Sequence, residues 1–467
     1  MATHTLTRLQ SPRRRQRQYQ WVKSFVGDML AFLVALGVCY VVKLVGALPI
    51  SEVILIPFIP LLWVLNRHRL NLRKRKLGVI LTLALLWLFG QIATDIYRST
   101  VFHDWSRGQA LILFFLLDII GLTLLLKGNV RRQLIFFLGL GIGFGLVPRL
   151  QPGWESADAA TTFKFGYSWA VMYTSTLISC YFYKRRQYFG VALLLFVCLS
   201  ATILFNFRSG LLILFVTACL ILPVIPERIG RFRILPPART RARVFTIIGI
   251  ALVAGALAGK GMAALAASGA LGPGAQAKNS YETKAGWGLL LGGRPEILVS
   301  SRAVMDSPIL GHGSWAKDPK YSEMLSEIEA EYGMGTGSTA NVEKSGGVIP
   351  SHSHLMNAWV LSGVLGAVFW IYLFALTLKA IVKLAMLQPA TAPVFVLLLS
   401  GMTWDLLFSP FGGVARVTGA FIVVVICDIL DPDSEISNTV VPRFKRTRVS
   451  MHPRNLGRVS RRFSGNF

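Results

Sequence analysis

Ser351-His352-Ser353-His354-Leu355-Met356-Asn357-Ala358-Trp359-Val360-Leu361-Ser362-Gly363-Val364-Leu365-Gly366 is the point where a long polar connection turns into an apolar run. Upstream, residues from Ala267 to Pro350 carry seven Lys or Arg against nine Asp or Glu. Downstream, residues 355 to 378 are almost uniformly apolar, long enough as a helix to span ~30 Å of hydrocarbon. The adjacent histidines therefore sit at a junction between water and membrane. Ser351 and Ser353 are good N-cap residues ahead of Leu355. A histidine at a helix N-terminus feels the positive end of the macrodipole, which lowers its pKa and keeps the imidazole neutral near pH 7. Neutral imidazole is what a general base needs.

Runs of the same kind recur along the chain. Hydropathy places helices near 25 to 45, 50 to 65, 77 to 97, 109 to 126, 133 to 149, 166 to 183, 188 to 206, 209 to 225, 244 to 266, 355 to 378, 391 to 409 and 414 to 430, about twelve in all. The second is broken by Pro57 and Pro60, which neighbouring helices accommodate. Charged residues are only 15% of the chain, where a soluble domain has roughly 25%. The expected fold is all-α, a polytopic integral membrane helix bundle with one large external loop.

The formal charge of +27 invites a nucleic-acid reading, but its distribution argues against one. The basic residues form short clusters between apolar runs, as orientation signals do. The N-terminal arginines, Arg67 to Lys76, Lys127 with Arg131 and Arg132, Lys184 to Arg186, Arg228 to Arg243, Lys379 with Lys383, and Arg443 to Arg462 make one set, cytoplasmic by the positive-inside rule. The turn around Pro49, Arg98 to Gly108, Arg149 to Phe165, the bend at Arg208, the large loop and Pro410 to Gly413 make the opposite set. An even helix count leaves both termini cytoplasmic. The domain plan is a basic tail over 1–24, nine transmembrane helices over 25–266, a large external loop over 267–354, three more helices over 355–430 and a basic tail over 431–467.

Within the loop, Asp318-Pro319 reads as a helix start. Tyr321, Met324, Leu325, Ile328 and Tyr332 follow at helical spacing, with acidic residues on the other faces; this amphipathic helix is expected to pack over the mouth of the bundle. All five cysteines fall in apolar runs, so none builds a disulfide in the loop or a zinc site. No small-residue cleavage signal follows the arginine-rich start, which implies a retained first helix.

Ionisable groups in or beside spanning helices are costly, so they face a cavity or a partner. Arg208, Arg294, His352, His354, Asp405 and Arg416 stand out at the outer helix ends. The plain alternative for the arginines is snorkelling to headgroups, which applies above all to Arg416. For the histidines it is helix capping. Ser362, Gly363 and Gly366 form a small-residue face that lets another helix approach. Asp118, inside the fourth helix, has no role in this scheme.

His352-Ser353, nine residues, then Gly363-Val364-Leu365-Gly366 resembles the His-[Asn/Ser/Gln]-x9-Gly-x-x-Gly signature of the bacterial O-antigen ligase family, which shares its fold with O-antigen and exopolysaccharide polymerases. Arg294 to Leu298 is similar to the family's Arg-x3-Leu element, and Asp306-Ser307-Pro308-Ile309-Leu310-Gly311-His312-Gly313 resembles its Asp-x-Pro-x-x-Gly-x-Gly continuation. Arg208 is similar to the family's arginine at the outer end of a mid-chain helix, and Asp405 to its acidic residue downstream of the histidine. Ala367 departs from the Thr that often follows the second glycine.

The resemblance covers roughly residues 190 to 430. It implies a glycosyltransferase of the bacterial inner membrane, acting on a polyprenyl-diphosphate-linked glycan at the outer leaflet. His352 would remove a proton from the acceptor hydroxyl, with His354 a possible substitute. Asp405 would orient the histidine or bind the acceptor. Arg208, Arg294 and Arg416 would hold the diphosphate. No metal or other cofactor is implied. The acceptor is lipid A core for a ligase, another lipid-linked repeat for a polymerase, or a protein. A transporter or flippase of lipid-linked saccharide is the reading from another class; it expects repeated halves and a path of ionisable groups through the membrane.

Overall fold

Long apolar runs with few charges have one stable backbone solution away from water, the helix, in which each N–H finds a carbonyl of its own segment. The structure, a computed structural model, describes residues 12–43, 47–70, 75–150, 159–222, 228–229, 232–233, 235–236, 240–284, 293–333, 337–344 and 346–438, and 82% of them are helical. The helices are α1 (Pro12–Leu36), α2 (Ile50–Asn66), α3 (Arg75–Tyr97), α4 (Phe102–Leu126), α5 (Val130–Leu150), α6 (Ala159–Thr162), α7 (Ser168–Lys184), α8 (Tyr188–Leu204), α9 (Arg208–Ile221) and α10 (Arg241–Ala267). They continue with α11 (Pro273–Lys284), α12 (Glu296–Asp306), α13 (Pro319–Glu331), α14 (Gly337–Lys344), α15 (His354–Leu387), α16 (Ala392–Phe408), α17 (Gly413–Leu430) and α18 (Glu435–Asn438). A π-helical turn, Phe163–Tyr167, joins α6 to α7.

Among the described residues, seven helices are long and apolar enough to cross a membrane: α2 with the turn after it, α3, α4, α5, α10, α15 and α17. The apolar segments Ser24–Cys39, α8, α9 and α16 are shorter. α1 extends further toward the N-terminus than expected, covering the described residues from Pro12. The basic tail lies outside the described residues from 439 onward, as do parts of the Arg149–Phe165 connection, the Arg228–Arg243 run and the large loop.

Within a mainly aliphatic core, a set of aromatic side chains is shared by α3, α4, α15 and the turn after α16. Trp87 stacks on Phe369 at 5.3 Å and Phe115 on Trp370 at 5.7 Å, with Phe411 edge-on to Phe115 and Trp370 at 5.2 and 4.9 Å. Such pairs add about 0.5–1.5 kcal/mol each beyond their area. That matters where lipid tails remove the usual hydrophobic driving force between helices.

Polar contacts gather the connections at the two ends of the bundle. At one end Arg69 donates to the Leu125 carbonyl at 2.8 Å, Lys76 to that of Leu430 at 2.8 Å, Asp428 accepts from the Gly128 amide at 2.7 Å, and Arg132 pairs with Asp28 at 3.0 Å. At the other end the α3–α4 turn meets the loop after α12, with Lys317 on Asp104 at 2.9 Å.

Between the ends, Arg416 of α17 forms a two-pronged ion pair with Glu52 of α2, Nε to Oε1 and Nη2 to Oε2 both at 2.8 Å. Both residues are buried, and Asp118 of α4 lies fully buried beside them. This group gives Asp118 its context and places Arg416, expected to hold the diphosphate, in a buried ion pair with Glu52. Breaking such a pair strands a charge and costs on the order of 3–5 kcal/mol, whereas replacing both partners can be nearly neutral. Arg416→Ala is therefore expected to lower the thermal unfolding midpoint in detergent sharply. The double variant Glu52→Gln, Arg416→Met should recover most of that loss; a double variant no more stable than the single would contradict this reading.

Candidate active site

Gly363 is where the helix carrying the histidines fails to continue. Its φ of +64° and ψ of −152° belong to a region essentially reserved for glycine, and a Cβ there would collide with the Ile309 carbonyl. α15 is thus two helices, a short one over 354–362 and a long one from Val364. A break leaves orphan amides and carbonyls that must find partners. The Ile309–Gly313 loop supplies them: the His312 and Gly313 amides donate to the Val360 and Leu361 carbonyls at 2.7 and 3.1 Å, and the Ile309 carbonyl accepts from the Val364 amide at 3.0 Å. Gly311 at φ +82° permits this approach, since a Cβ on it would meet the Gly363 amide. The small-residue face expected at Ser362, Gly363 and Gly366 is therefore divided. Ser362 and Gly366 do admit α3, whose Trp87 Nε1 donates to Ser362 Oγ at 2.9 Å, while Gly363 makes the break.

α3 also fixes the loop. Arg98 donates to the Gly311 carbonyl from Nε at 3.1 Å and from Nη2 at 2.9 Å, and Asp95 accepts from the Ser314 amide and hydroxyl, both at 2.7 Å. α13 and α12 close over the short helix: Tyr321, Leu325, Val299, Ala303 and Val360 form a second, smaller core. The expected helix after Asp318 is present, capped by the Asp318 carboxylate on the Lys320 amide at 3.0 Å.

Ser353 caps the short helix, its Oγ accepting from the Met356 amide at 3.2 Å and donating to the Leu406 carbonyl at 2.8 Å. The two histidines then part. His354 is buried between Trp370 and Phe411, with ring centroids at 5.2 and 5.1 Å. His352 lines a cleft of about 380 Å³ together with Glu296, Trp315, Ser351, Asn357 and Phe411. Only His352 faces a space that a reactant can enter.

Two cationic side chains, Arg294 and Lys164, act on it electrostatically. Arg294 lies over the rings of Trp404 and Phe408 at 4.9 and 5.4 Å, with Glu296 and Glu282 as its carboxylate neighbours. Arg208, first residue of α9, pairs with Glu282 of α11 and reaches Asn279 at 3.4 Å and Asn206 at 3.2 Å. Glu282 also packs against Gly293, where a side chain would displace it, so one carboxylate links the Arg208 and Arg294 segments. Lys164, on the π-helical turn, adds its charge to the His352 environment. That turn is tied to the approach to α9 by the stack of Phe163 on Phe205 at 4.2 Å; π-bulges of this kind are frequent at functional sites.

Burial holds the His352 imidazole below its usual pKa; Glu296 opposes this, and Arg294 and Lys164 reinforce it. The cause is desolvation rather than the helix dipole alone. Burial likewise lowers the Arg294 guanidinium from its ordinary value, against the pull of Glu296 and Glu282.

Of the expected site residues, Arg294 acts electrostatically on His352, and Arg208 is linked to Arg294 through their common neighbour Glu282. The charges that act on His352 are Glu296, Arg294 and Lys164, not Asp405. Trp404 turns toward Arg294, and one residue further round the helix Asp405 faces Tyr173 of α7 and the Ser409 hydroxyl. Glu296 takes the place next to His352, two residues along from Arg294. Glu282, Asn279 and Lys164 carried no sequence signal beyond lying in the outer connections. No protein-family model matches this chain, and no curated protein sequence matches it significantly, so the reading of the site rests on its own residues.

In the unfolded chain His352 titrates at the ordinary 6.5, and in the folded chain lower. Between these values the unfolded state binds more protons, so the stability His352 contributes is full above pH 6.5 and is lost as pH falls through the folded value. Thermal unfolding from pH 7.5 to 5 is expected to show a smaller acid-side loss in His352→Gln than in wild type. Parallel curves would contradict the burial argument.

Proposed function

We propose that this chain is a glycosyltransferase of the bacterial inner membrane that moves a glycan from polyprenyl diphosphate to an acceptor hydroxyl, in the manner of O-antigen ligases. The observation that carries the reading is His352 in a cleft beside Glu296, with Arg294 in electrostatic reach of it and Arg208 joined to Arg294 through their shared neighbour Glu282. The resemblance of the same residues to the ligase family supports it. On this reading the bundle has about twelve spans, both termini are cytoplasmic and the 267–354 region is periplasmic.

In the proposed reaction a ring nitrogen of His352 takes the proton of the acceptor hydroxyl as its oxygen attacks the anomeric carbon. A C–O bond forms on one face and the C–O bond to the diphosphate breaks on the other, inverting the configuration. The charge left on the diphosphate falls to Arg294 and Arg208, whose planar forks suit phosphate oxygens. Glu282 must then release Arg208, so donor binding exchanges an internal counter-ion for the diphosphate. Glu296 sets the orientation of His352, the role first assigned to Asp405. The Glu52–Arg416–Asp118 group joins three helices and supports a structural role rather than the through-path of a transporter.

Deletion of the gene is expected to strand long glycans on the polyprenyl lipid and leave lipid A core bare. Wild type should restore the profile on a gel. His352→Ala should lose transfer by about 10²–10⁴-fold, the usual contribution of a positioned base, and Arg294→Lys should lose it at least about tenfold, since a lysine lacks the fork. Surface glycan reduced to a single repeat would assign a polymerase instead. Full restoration by His352→Ala would overturn the assigned base.

A further inference from the structure

Trp315 has a backbone φ of +49°, left-handed space that a bulky side chain rarely enters. Strain of this kind persists only where the surroundings over-determine it, and it concentrates at functional positions. Here both flanks are pinned. On one side Ser314 is held by Asp95 through two 2.7 Å bonds. On the other, the Ala316 carbonyl accepts from the Ile349 amide at 2.9 Å and Lys317 pairs with Asp104. The Arg107 guanidinium lies over one face of the indole ring at 4.4 Å, and Trp315 lines the cleft that holds His352.

A half-buried indole clamped in a fixed attitude beside the proposed base is a platform in search of a flat, weakly polar partner. The other lining groups narrow the choice. Asn357 and Ser351 offer an amide and a hydroxyl, and Glu296 an acceptor. An apolar flat face with a rim of hydroxyls is the shape of a pyranose ring: its C–H face stacks on an aromatic surface and its hydroxyls reach polar neighbours. A single serine or threonine side chain of a protein acceptor has no such face.

We propose that Trp315 is the stacking platform for the acceptor saccharide, setting one of its hydroxyls against His352. This rests on the glycosyltransferase reading above and names the side of the cleft that the second substrate occupies. Arg294 and Arg208 serve the donor; Trp315, Asn357 and Ser351 serve the acceptor.

The test uses the full chain purified in detergent, added to membranes of the deletion strain. Those membranes supply the unused donor, and the acceptor is titrated as glycolipid extracted from the same strain. Trp315→Ala is expected to raise the apparent KM for the acceptor at least tenfold while leaving that for the donor unchanged, with Trp315→Phe between it and wild type. Trp315→Gly separates binding from folding: glycine accepts a φ of +49° without strain, so this variant should unfold at a higher temperature than Trp315→Ala and yet bind the acceptor as poorly. An unchanged acceptor KM in both variants, or equal rises for donor and acceptor, would overturn the platform. So would peptide serving as the acceptor in place of the glycolipid. If wild-type protein transfers no glycan from the polyprenyl lipid at all, the glycosyltransferase reading itself fails, and the platform with it.

Discussion

A backbone that must satisfy its own hydrogen bonds can leave the helix only where something else completes them. Gly363 is such a place, and the rest of the site depends on it. The carbonyls of Val360 and Leu361 and the amide of Val364 are all met by the loop Ile309–Gly313, which is possible because neither Gly311 nor Gly363 has a Cβ. The break turns the first two turns of α15 away from the spanning helix and sets His352 at the start of a short, separately capped segment. It also locks the loop leading to Trp315 against α3 and the α3–α4 turn. One non-helical residue thus shapes the cleft wall and positions two of its side chains.

The charges around the cleft follow a second rule. Burying a guanidinium without a partner is costly, and Arg208 and Arg294 are accompanied by Glu282, Glu296 and the faces of Trp404 and Phe408. Such a cluster is stable without ligand. On the proposed reading it also tunes affinity, because an incoming diphosphate competes with carboxylates already in place. The Glu52–Arg416 pair obeys the same rule in the bundle interior, with no cleft beside it that the proposed reaction needs.

Much of this was legible in the sequence where the controlling physics is local. Apolar runs of spanning length announce helices, and ionisable groups at their ends mark candidate positions; Arg208, Arg294 and His352 were singled out that way. Other features depend on contacts between distant residues. Nothing near Arg416 reveals Glu52, 364 positions away, so a paired arginine read as a ligand. His352 and His354 look equivalent until the short helix turns one into the aromatic core and the other into the cleft. Asp405 and Glu296 are both acidic residues near the right elements, and only the rotation of α16 about Trp404 separates them. Gly363 read as a helix-packing glycine because its positive φ arises from the loop that enters beside it.

The most direct test is a structure of the full chain in a lipid nanodisc with polyprenyl diphosphate bound. The account predicts the diphosphate between Arg208 and Arg294, its oxygens on both guanidinium groups, Glu282 withdrawn from Arg208, and the cleft at His352 left open for the acceptor. A diphosphate bound at the opposite end of the bundle, near Lys76 and Lys127, or within the cleft against Trp315, would contradict it.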